Sequence, residues 1–586
     1  MPRSRKRRTR TNAPPPGPSI KSVLKSFEGR DFAAVVAQCR RILAGDPRNT
    51  DALNILGGAC IELGDVDGAI DALGRAISVN PGDAAIEANL GTALATAKRY
   101  AEAETHFTAA LSRAPGDIDV MANLAFARLE QGHFDRALET FADVLARAPG
   151  NPTVLIGAIR AAAAGGDRTL AEAYARAALA ADGDSPARQR ELTLVLHEHH
   201  LFAESLAAAD AALAGSPASA GLHIDRGVVL SKLARYDAAL ACFDAALDIE
   251  PDNADGTMWR AMLNLSLGRF AAGWPGYRSR PSLRSLQAPN SLAACGKNYR
   301  IAPLPQDLSG SRILVDRDQG LGDELFFLRF AKRLRDRGAH ITYRSDKRLE
   351  AMLQRAGIAD AVASDAGPAG AFDHVVAVCD LPMLTGAGDD DSILPPIAIP
   401  PLADRTAELA ARLAAFGDGP YLGVTWRGGT VGNSRFLHKE IPATRLAGAV
   451  AGAAGTIVVL QRNPAEGEVA AFAEAAGRPV LDLSALNADL EAMLSLCSLL
   501  DGYVGVSNTN LYLRECCGRS SHVIVPYPPE FRWMVSGTES PWFPGCRVYR
   551  QSPDSGWDDA MTRLAGALGA PAPCRRVDAY PLKTRL

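Results

Sequence analysis

A chain of 586 residues is long enough for three or four domains, or for one repeat array joined to a smaller enzyme. At 47% hydrophobic and 22% charged residues it has the composition of a folded protein, which excludes wholesale disorder. Its 63 Lys and Arg against 66 Asp and Glu give a net charge of −3, so a bulk nucleic-acid binder, normally basic, is not expected.

Residues 1–18, MPRSRKRRTRTNAPPPGP, are basic and then Pro-rich, and no apolar segment follows. This is not a secretory signal, and residues 1–20 read as a disordered, solvated tail. The alternative is an electrostatic contact with anionic lipid or RNA. No run of about 18 apolar residues predicts a transmembrane segment. The ten cysteines contain no C-x-x-C pair, only the adjacent Cys516 and Cys517, which implies a reducing compartment, no zinc site and no disulfide framework. The expected location is cytoplasmic, with a peripheral position at the inner membrane left to the basic tail.

The first half repeats itself every 34 residues. Prolines stand at Pro47, Pro81, Pro115, Pro149, Pro217 and Pro251, with Gly183 in the vacant place. A second register runs through Gly64, Lys98, Gly132, Gly166, His200, Ala234 and Gly268, followed two residues later by Tyr100, Phe134, Phe202, Tyr236 and Phe270. Small residues recur at Ala69, Ala103, Ala137, Ala171, Ser205 and Ala239, and large ones at Leu73, Phe107, Phe141 and Phe243. This is the tetratricopeptide pattern: two helices per unit, the first ended by Gly and the second by Pro, with Ala allowing close packing. Seven repeats are predicted from about Lys21 to Pro251, then a capping helix over Ala254–Leu267 and a divergent segment, 268–280. Such an array offers a concave face for a peptide or protein partner; the bland alternative is a spacer or dimerisation arm. His197, Glu198, His199 and His200 lie near a repeat turn and read as solvated surface rather than a metal site.

Beyond a Ser-, Pro- and Asn-rich loop at residues 279–311, the pattern alternates strand and helix. Strands are predicted at Ile313–Val315, His340–Tyr343 and His374–Val378, and helices at Leu325–Arg337 and Arg348–Ala356. The Pro-rich stretch Pro395–Pro401 reads as an interdomain linker. A second set follows, with strands at Tyr421–Trp426, Thr456–Leu460, Tyr503–Val506 and His522–Val525 and helices at about Ala443–Ala453, Glu466–Ala476 and Leu490–Leu500. This predicts parallel sheets covered by helices. The boundaries are a tail to 20, a solenoid over 21–280, a linker over 281–311, one Rossmann-like lobe over 312–400, a second over 401–570 and a tail from 571. Two such lobes joined by a linker are the glycosyltransferase-B layout, which holds its ligand between the lobes at the carboxyl ends of the strands.

Four segments carry candidate chemistry. Gln319-Gly320-Leu321-Gly322-Asp323-Glu324 turns from strand to helix, placing N–H groups and an acid able to serve as general base at the cleft; its bland reading is an N-cap. Thr425-Trp426-Arg427-Gly428-Gly429-Thr430, with Arg435, His438 and Lys439, ends a strand in a basic loop able to neutralise a diphosphate, or merely solvated. Ser507-Asn508-Thr509-Asn510 opens a helix, Leu511–Cys517, and suits a phosphate, a ribose or simple capping. Pro526–Trp533 and Ser540–Pro544 are aromatic loops that form a base or sugar platform or cover a core.

The C-terminal half resembles the glycosyltransferase family 9 domains of bacterial tetratricopeptide fusions, relatives of the ADP-heptose:lipopolysaccharide heptosyltransferases. The resemblance rests on DQGLGDELFFLRFAKRL (318–334), Trp426-Arg427 with Lys439-Glu-Ile-Pro442, DGYVGVSNTNLYLRECCG (501–518) and SPWFPGCRVYRQ (540–551), and on the junction 268–280. It implies a glycosyltransferase-B fold and a metal-independent, inverting transfer from a nucleotide-diphospho sugar to a protein or glycan acceptor, without a cofactor. Asp323 then matches the acceptor-activating acid, Lys439 the donor-phosphate contact, and Ser507–Leu513 the donor-binding turn. Gly320, Gly322, Trp426, Arg427, Arg435, Asn508, Thr509, Asn510 and Tyr512 complete the expected donor site. Where the family carries an acid and a His in that turn, this chain has Ser507 and Tyr512. A tyrosine donates a hydrogen bond but carries no positive charge. That departure supports the alternative of a non-catalytic scaffold with a degenerate transferase-like domain.

Overall fold

In a computed structural model, residues 18–181, 185–281, 303–364, 371–390, 393–428, 439–552 and 556–569 are described. The tail up to residue 17, most of the expected linker and the segment after 569 lie outside them. The chain divides into two compact units, Met1–Pro217 and Ala218–Leu586, and the division falls inside the repeat array.

Among the described residues the first unit is built of twelve helices, from Ile20–Glu28 to Phe202–Gly215. The 34-residue period is visible in three local devices. The first helix of each later pair is capped by a side chain that accepts from its first turn: Asn49, Asp83, Asp117, Asn151 and Ser185, then Ser219 and Asn253 in the second unit. That helix ends on a left-handed residue at Arg30, Gly64, Lys98, Gly132, Gly166, His200, Ala234 and Gly268. The following N–H then reaches back into the last turn, as in Arg99 to Leu94 and Arg235 to Leu230, both 2.9 Å. Finally, a glycine on the first helix faces a large residue on the second. A Cβ on Gly57, Gly91 or Gly227 would come within 2.4, 2.7 and 2.6 Å of Leu73, Phe107 and Phe243. Spacing alone therefore reveals the array because each device is local.

The second unit begins with four helices of the same kind, Ala220–Lys232, Tyr236–Ile249, Ala254–Ser266 and Phe270–Tyr277. The divergent segment 268–280 thus supplies one more, shortened second helix, with Pro275 inside it. A four-stranded parallel sheet follows, of β1 (Arg312–Asp316), β2 (His340–Arg344), β3 (Ala361–Ala363) and β4 (His374–Ala377), in the order β3-β2-β1-β4. A second sheet holds β5 (Tyr421–Thr425), β6 (Thr456–Val459), β7 (Leu481–Asp482), β8 (Gly502–Val506), β9 (His522–Val525), β10 (Glu539–Ser540) and β11 (Phe543–Arg550). Its order is β10-β11-β9-β8-β5-β6-β7, parallel except for the β10–β11 pair. The C-terminal region is therefore α/β with parallel sheets. The helix expected from Leu325 starts at Leu321 and is broken by a 3₁₀ turn at Leu328–Phe330. Trp274 and Tyr277 of the last repeat share one hydrophobic core with residues of both sheets' layers, among them Phe327, Leu494 and Trp542. Among the described residues no helix is long and apolar enough to cross a membrane.

Ala234 and Lys98 hold a left-handed conformation that costs an L-residue about 1–2 kcal/mol. Ala234→Gly is expected to raise stability by about 0.5–1 kcal/mol after the entropy of the freer unfolded chain is subtracted, and Gly132→Ala to lower it. Thermal unfolding of the two variants beside wild type checks the sign.

Candidate functional site

The segment after β1 is held from behind. Arg280, buried just past the last repeat helix, donates to Asp318 through Nε at 2.7 Å and to Asp380, after β4, through Nη1 at 2.5 Å. Arg278 reaches the other oxygen of Asp380 at 3.1 Å. Gln319, left-handed at φ 62°, donates to the Tyr277 hydroxyl at 3.0 Å. With its base fixed in this way, the Gly-rich turn sends two neighbouring acids in opposite directions. Glu324 turns inward and accepts from the Tyr343 hydroxyl at 2.6 Å and the Asp346 N–H at 3.2 Å. Its carboxyl is pushed up to about 7, chiefly by burial, against those hydrogen bonds. Asp323 turns outward, its side chain 24% exposed, and pairs with Arg532 at 2.5 Å.

From Asp323 a chain of alternating charges leads to the second sheet. Arg532 also binds Glu530 at 2.9 Å, and Glu530 binds Lys439 at 2.7 Å. Ser507 at the end of β8 and Tyr512 on the helix Thr509–Cys516 both direct hydroxyls at the same Glu530 oxygen, at 3.3 and 3.4 Å. Lys439 and Arg532 outweigh the burial that opposes ionisation and draw the Glu530 carboxyl down to about 2. The same carboxylate holds the Lys439 ammonium above its usual range despite its desolvation. Burial pushes the Tyr512 phenol up to about 12, so it remains a hydroxyl. The Arg532 guanidinium lies over Phe326 and Phe531, 4.4 and 4.7 Å from the ring centroids.

The structure brings Gly322, Asp323, Lys439, Ser507 and Tyr512 to one place. Gly322 is there for closeness: a Cβ would lie 2.9 Å from the Tyr512 ring. The Gly320 N–H donates to the Asp323 carboxylate at 3.3 Å. Asn508 caps the helix at Leu511 N and bonds Thr425 and Tyr503, and Thr509 is the first residue of that helix. Three residues expected at the donor site have partners within the chain. Trp426 is wholly buried, stacked on Phe472 with its indole N–H on Glu468. Arg427 binds the same Glu468 at 2.9 Å. Asn510 donates to the Leu460 carbonyl and to Asn487. Arg435 and His438 lie outside the described residues.

Sequence reading missed Glu530 and Arg532, because the Pro526–Trp533 loop was weighed for its aromatics. The available signal was two charges flanking Phe531 in an otherwise apolar loop, which demand partners if buried. That loop is braced on the repeats: the Tyr527 hydroxyl donates to the Lys232 carbonyl at 2.5 Å and the Val535 N–H to the Ser266 carbonyl at 3.1 Å. A small pocket beside the charge chain is lined by Lys439, Ser507, Pro526, Pro528, Glu530 and Trp533. Among the described residues the buried Trp533 indole N–H has no hydrogen-bond partner. Among the described residues no group of three or more His, Cys, Asp or Glu is placed to hold a metal ion.

Comparison with known proteins identifies the repeats. Residues 24–154 match the cytochrome c-type biogenesis protein H TPR domain, and residues 128–193 and 224–273 match two tetratricopeptide repeat models. The N-terminal part of the chain is thus a tetratricopeptide-repeat array. Protein FlbA of Caulobacter vibrioides is 27% identical over 423 residues, covering 67% of this chain and 68% of that protein. A tetratricopeptide repeat protein from Parabacteroides merdae is 13% identical, with 42% of this chain and 96% of that one covered and a TM-score of 0.32. The type IV pilus biogenesis factor PilW is 21% identical, with coverages of 36% and 96% and a TM-score of 0.32.

Two outcomes follow from the buried charges. Arg280→Ala takes the cation from buried Asp318 and leaves Asp380 to Arg278 alone, and is expected to cost about 3–5 kcal/mol, read as a lowered melting temperature. Glu324 keeps its proton in the folded chain to about pH 7, whereas an unfolded Glu loses it near its ordinary value of about 4.3. Stability therefore falls as pH rises through that window and levels off above it. Glu324→Gln removes this share, so melting temperatures at pH 5 and pH 8 should differ less in the variant, by on the order of 1–3 kcal/mol of stability. Parallel pH curves for variant and wild type would show Glu324 ionised at neutral pH.

Proposed function

We propose that the α/β part of this tetratricopeptide-repeat protein is a glycosyltransferase of the two-lobed B type, and that the repeats bind a protein that is its acceptor or brings the acceptor. What carries the reading is convergence: Asp323 from the first sheet, and Lys439, Ser507 and Tyr512 from the second, meet around Arg532 and Glu530. In the proposed reaction an acceptor hydroxyl gives its proton to Asp323 as its oxygen attacks the anomeric carbon of a nucleotide-diphospho sugar. The bond from that carbon to the diphosphate breaks, and Lys439 with the Ser507 and Tyr512 hydroxyls offsets the charge that collects on the leaving group. Holding the acceptor on the repeats raises its effective concentration at the site.

A second reading, a scaffold without catalysis, is favoured by a specific observation. Asp323 and Lys439 are already neutralised by Arg532 and Glu530, and Trp426 and Arg427 are committed to Glu468. In that reading the repeats carry the function as a protein-interaction surface.

The test is a panel of labelled nucleotide-sugars, scored by thermal shift and by transfer of label to proteins retained on the immobilised chain. The transferase reading expects one donor to raise the melting temperature. It also expects label transfer, cut at least about 100-fold by Asp323→Asn while the thermal shift is kept. No shift and no transfer with any donor establishes the scaffold reading.

A further inference from the structure

Glu530 is a carboxylate with four donors: Lys439 Nζ at 2.7 Å, Arg532 Nη1 at 2.9 Å, Ser507 Oγ at 3.3 Å and the Tyr512 hydroxyl at 3.4 Å. Its side chain is 5% exposed. Two cations and two hydroxyls aimed at one buried anion make a preformed site for a tetrahedral oxyanion such as phosphate. Here the anion comes from the chain itself, on the loop Pro526–Trp533. One residue beyond Phe531, the same loop supplies Arg532, which covers Asp323 at 2.5 Å. A single loop thus blocks the cation and the acid of the site together. The pocket next to Glu530 is lined by Lys439, Ser507 and Trp533, and among the described residues the buried Trp533 indole N–H has no hydrogen-bond partner.

We infer that Glu530 is an internal stand-in for the phosphate group of a diphosphate ligand, and that the 526–533 loop must withdraw Glu530 and Arg532 before the site is used. This rests on the ligand-site reading given above. Withdrawal needs no bond made or broken; it exchanges one anion on Lys439, Ser507 and Tyr512 for another and frees Asp323. The loop's outer contacts, Tyr527 on the Lys232 carbonyl and Val535 on the Ser266 carbonyl, belong to the turns of the last two repeats.

The experiment uses the full chain and inorganic pyrophosphate as probe. Glu530→Gln keeps the size and acceptor oxygen of the side chain and removes the competing charge. It should bind pyrophosphate at least tenfold more tightly than wild type in calorimetry, and Lys439→Ala in the Glu530→Gln background should abolish the gain. Unchanged or weaker binding by Glu530→Gln, or a gain that survives loss of Lys439, overturns the inference. Hydrogen exchange on the wild-type chain decides the matter should that variant not fold. Saturating pyrophosphate should increase exchange in the peptide covering 526–535, and unaltered exchange there overturns it. Sugar transfer is scored separately: transfer without a Glu530→Gln effect removes the stand-in and keeps the transferase, whereas the effect without transfer keeps the stand-in and removes the enzyme.

Discussion

The buried quartet of Arg278, Arg280, Asp318 and Asp380 is the constraint on which the rest of the second unit depends. The Arg280 side chain is 2% exposed and those of both aspartates are 0% exposed, so each charge is tolerable only because the others are present. Asp318 lies two residues beyond β1 and Asp380 follows β4, so the quartet fixes the chain beyond the last repeat onto the carboxyl ends of the two neighbouring strands. In open α/β sheets that is where ligands bind. Here the protein's own junction fills part of that ground, and the acid that still faces outward from the turn is Asp323.

The aromatic core makes the same junction rigid. Trp274 of the last repeat helix meets Phe327, Phe330, Phe531 and Trp542 with ring centroids about 6 Å apart, mostly edge to face. Two arginines enter this apolar ground by different means. Arg329 gives its protons to the carbonyls of Phe326, Leu394 and Trp542 and lies over Phe326. Arg532 lies over Phe326 and Phe531 while its edge reaches two carboxylates. A planar guanidinium can do both at once, and a lysine cannot. The loop carrying Arg532 is thus packed on the repeat side and charged on the site side.

How much of this was legible follows from the range of the interactions. The repeats are written in caps, left-handed turns and glycine–aromatic contacts within one 34-residue unit, so spacing alone exposed them. The longer strands of both sheets announced themselves as apolar runs, whereas β3, β7 and β10 are two or three residues long and carry no period to detect. Ser540–Pro544 reads as an aromatic loop, yet β11 begins within it at Phe543 and runs through Pro544 and Gly545. Of the side chains that converge on Glu530 and Arg532, Asp323, Lys439 and Ser507 stand in local motifs, but Arg532 is 209 residues from the acid it pairs with. Trp426 shows the converse. An aromatic at a strand end looks available to a ligand until Phe472, from a separate helix, claims its face.

The four-charge chain from Lys439 to Asp323 also separates stability from binding. Ion pairs buried only for stability are commonly replaceable by well-packed apolar side chains. This one is built differently, since Ser507 and Tyr512 add two neutral hydroxyls to a carboxylate that Lys439 and Arg532 already balance. The hydroxyls gain little from a partner so fully paired, at 3.3 and 3.4 Å, near the long end of a hydrogen bond. Their geometry is better matched to an anion with more oxygens than a carboxylate presents. The chain as a whole is neutral, so an anion at Lys439 competes with the carboxylate already paired there. On the proposed reading, binding at this place is an exchange whose free energy is set by the difference between two anions rather than by the attraction of either one.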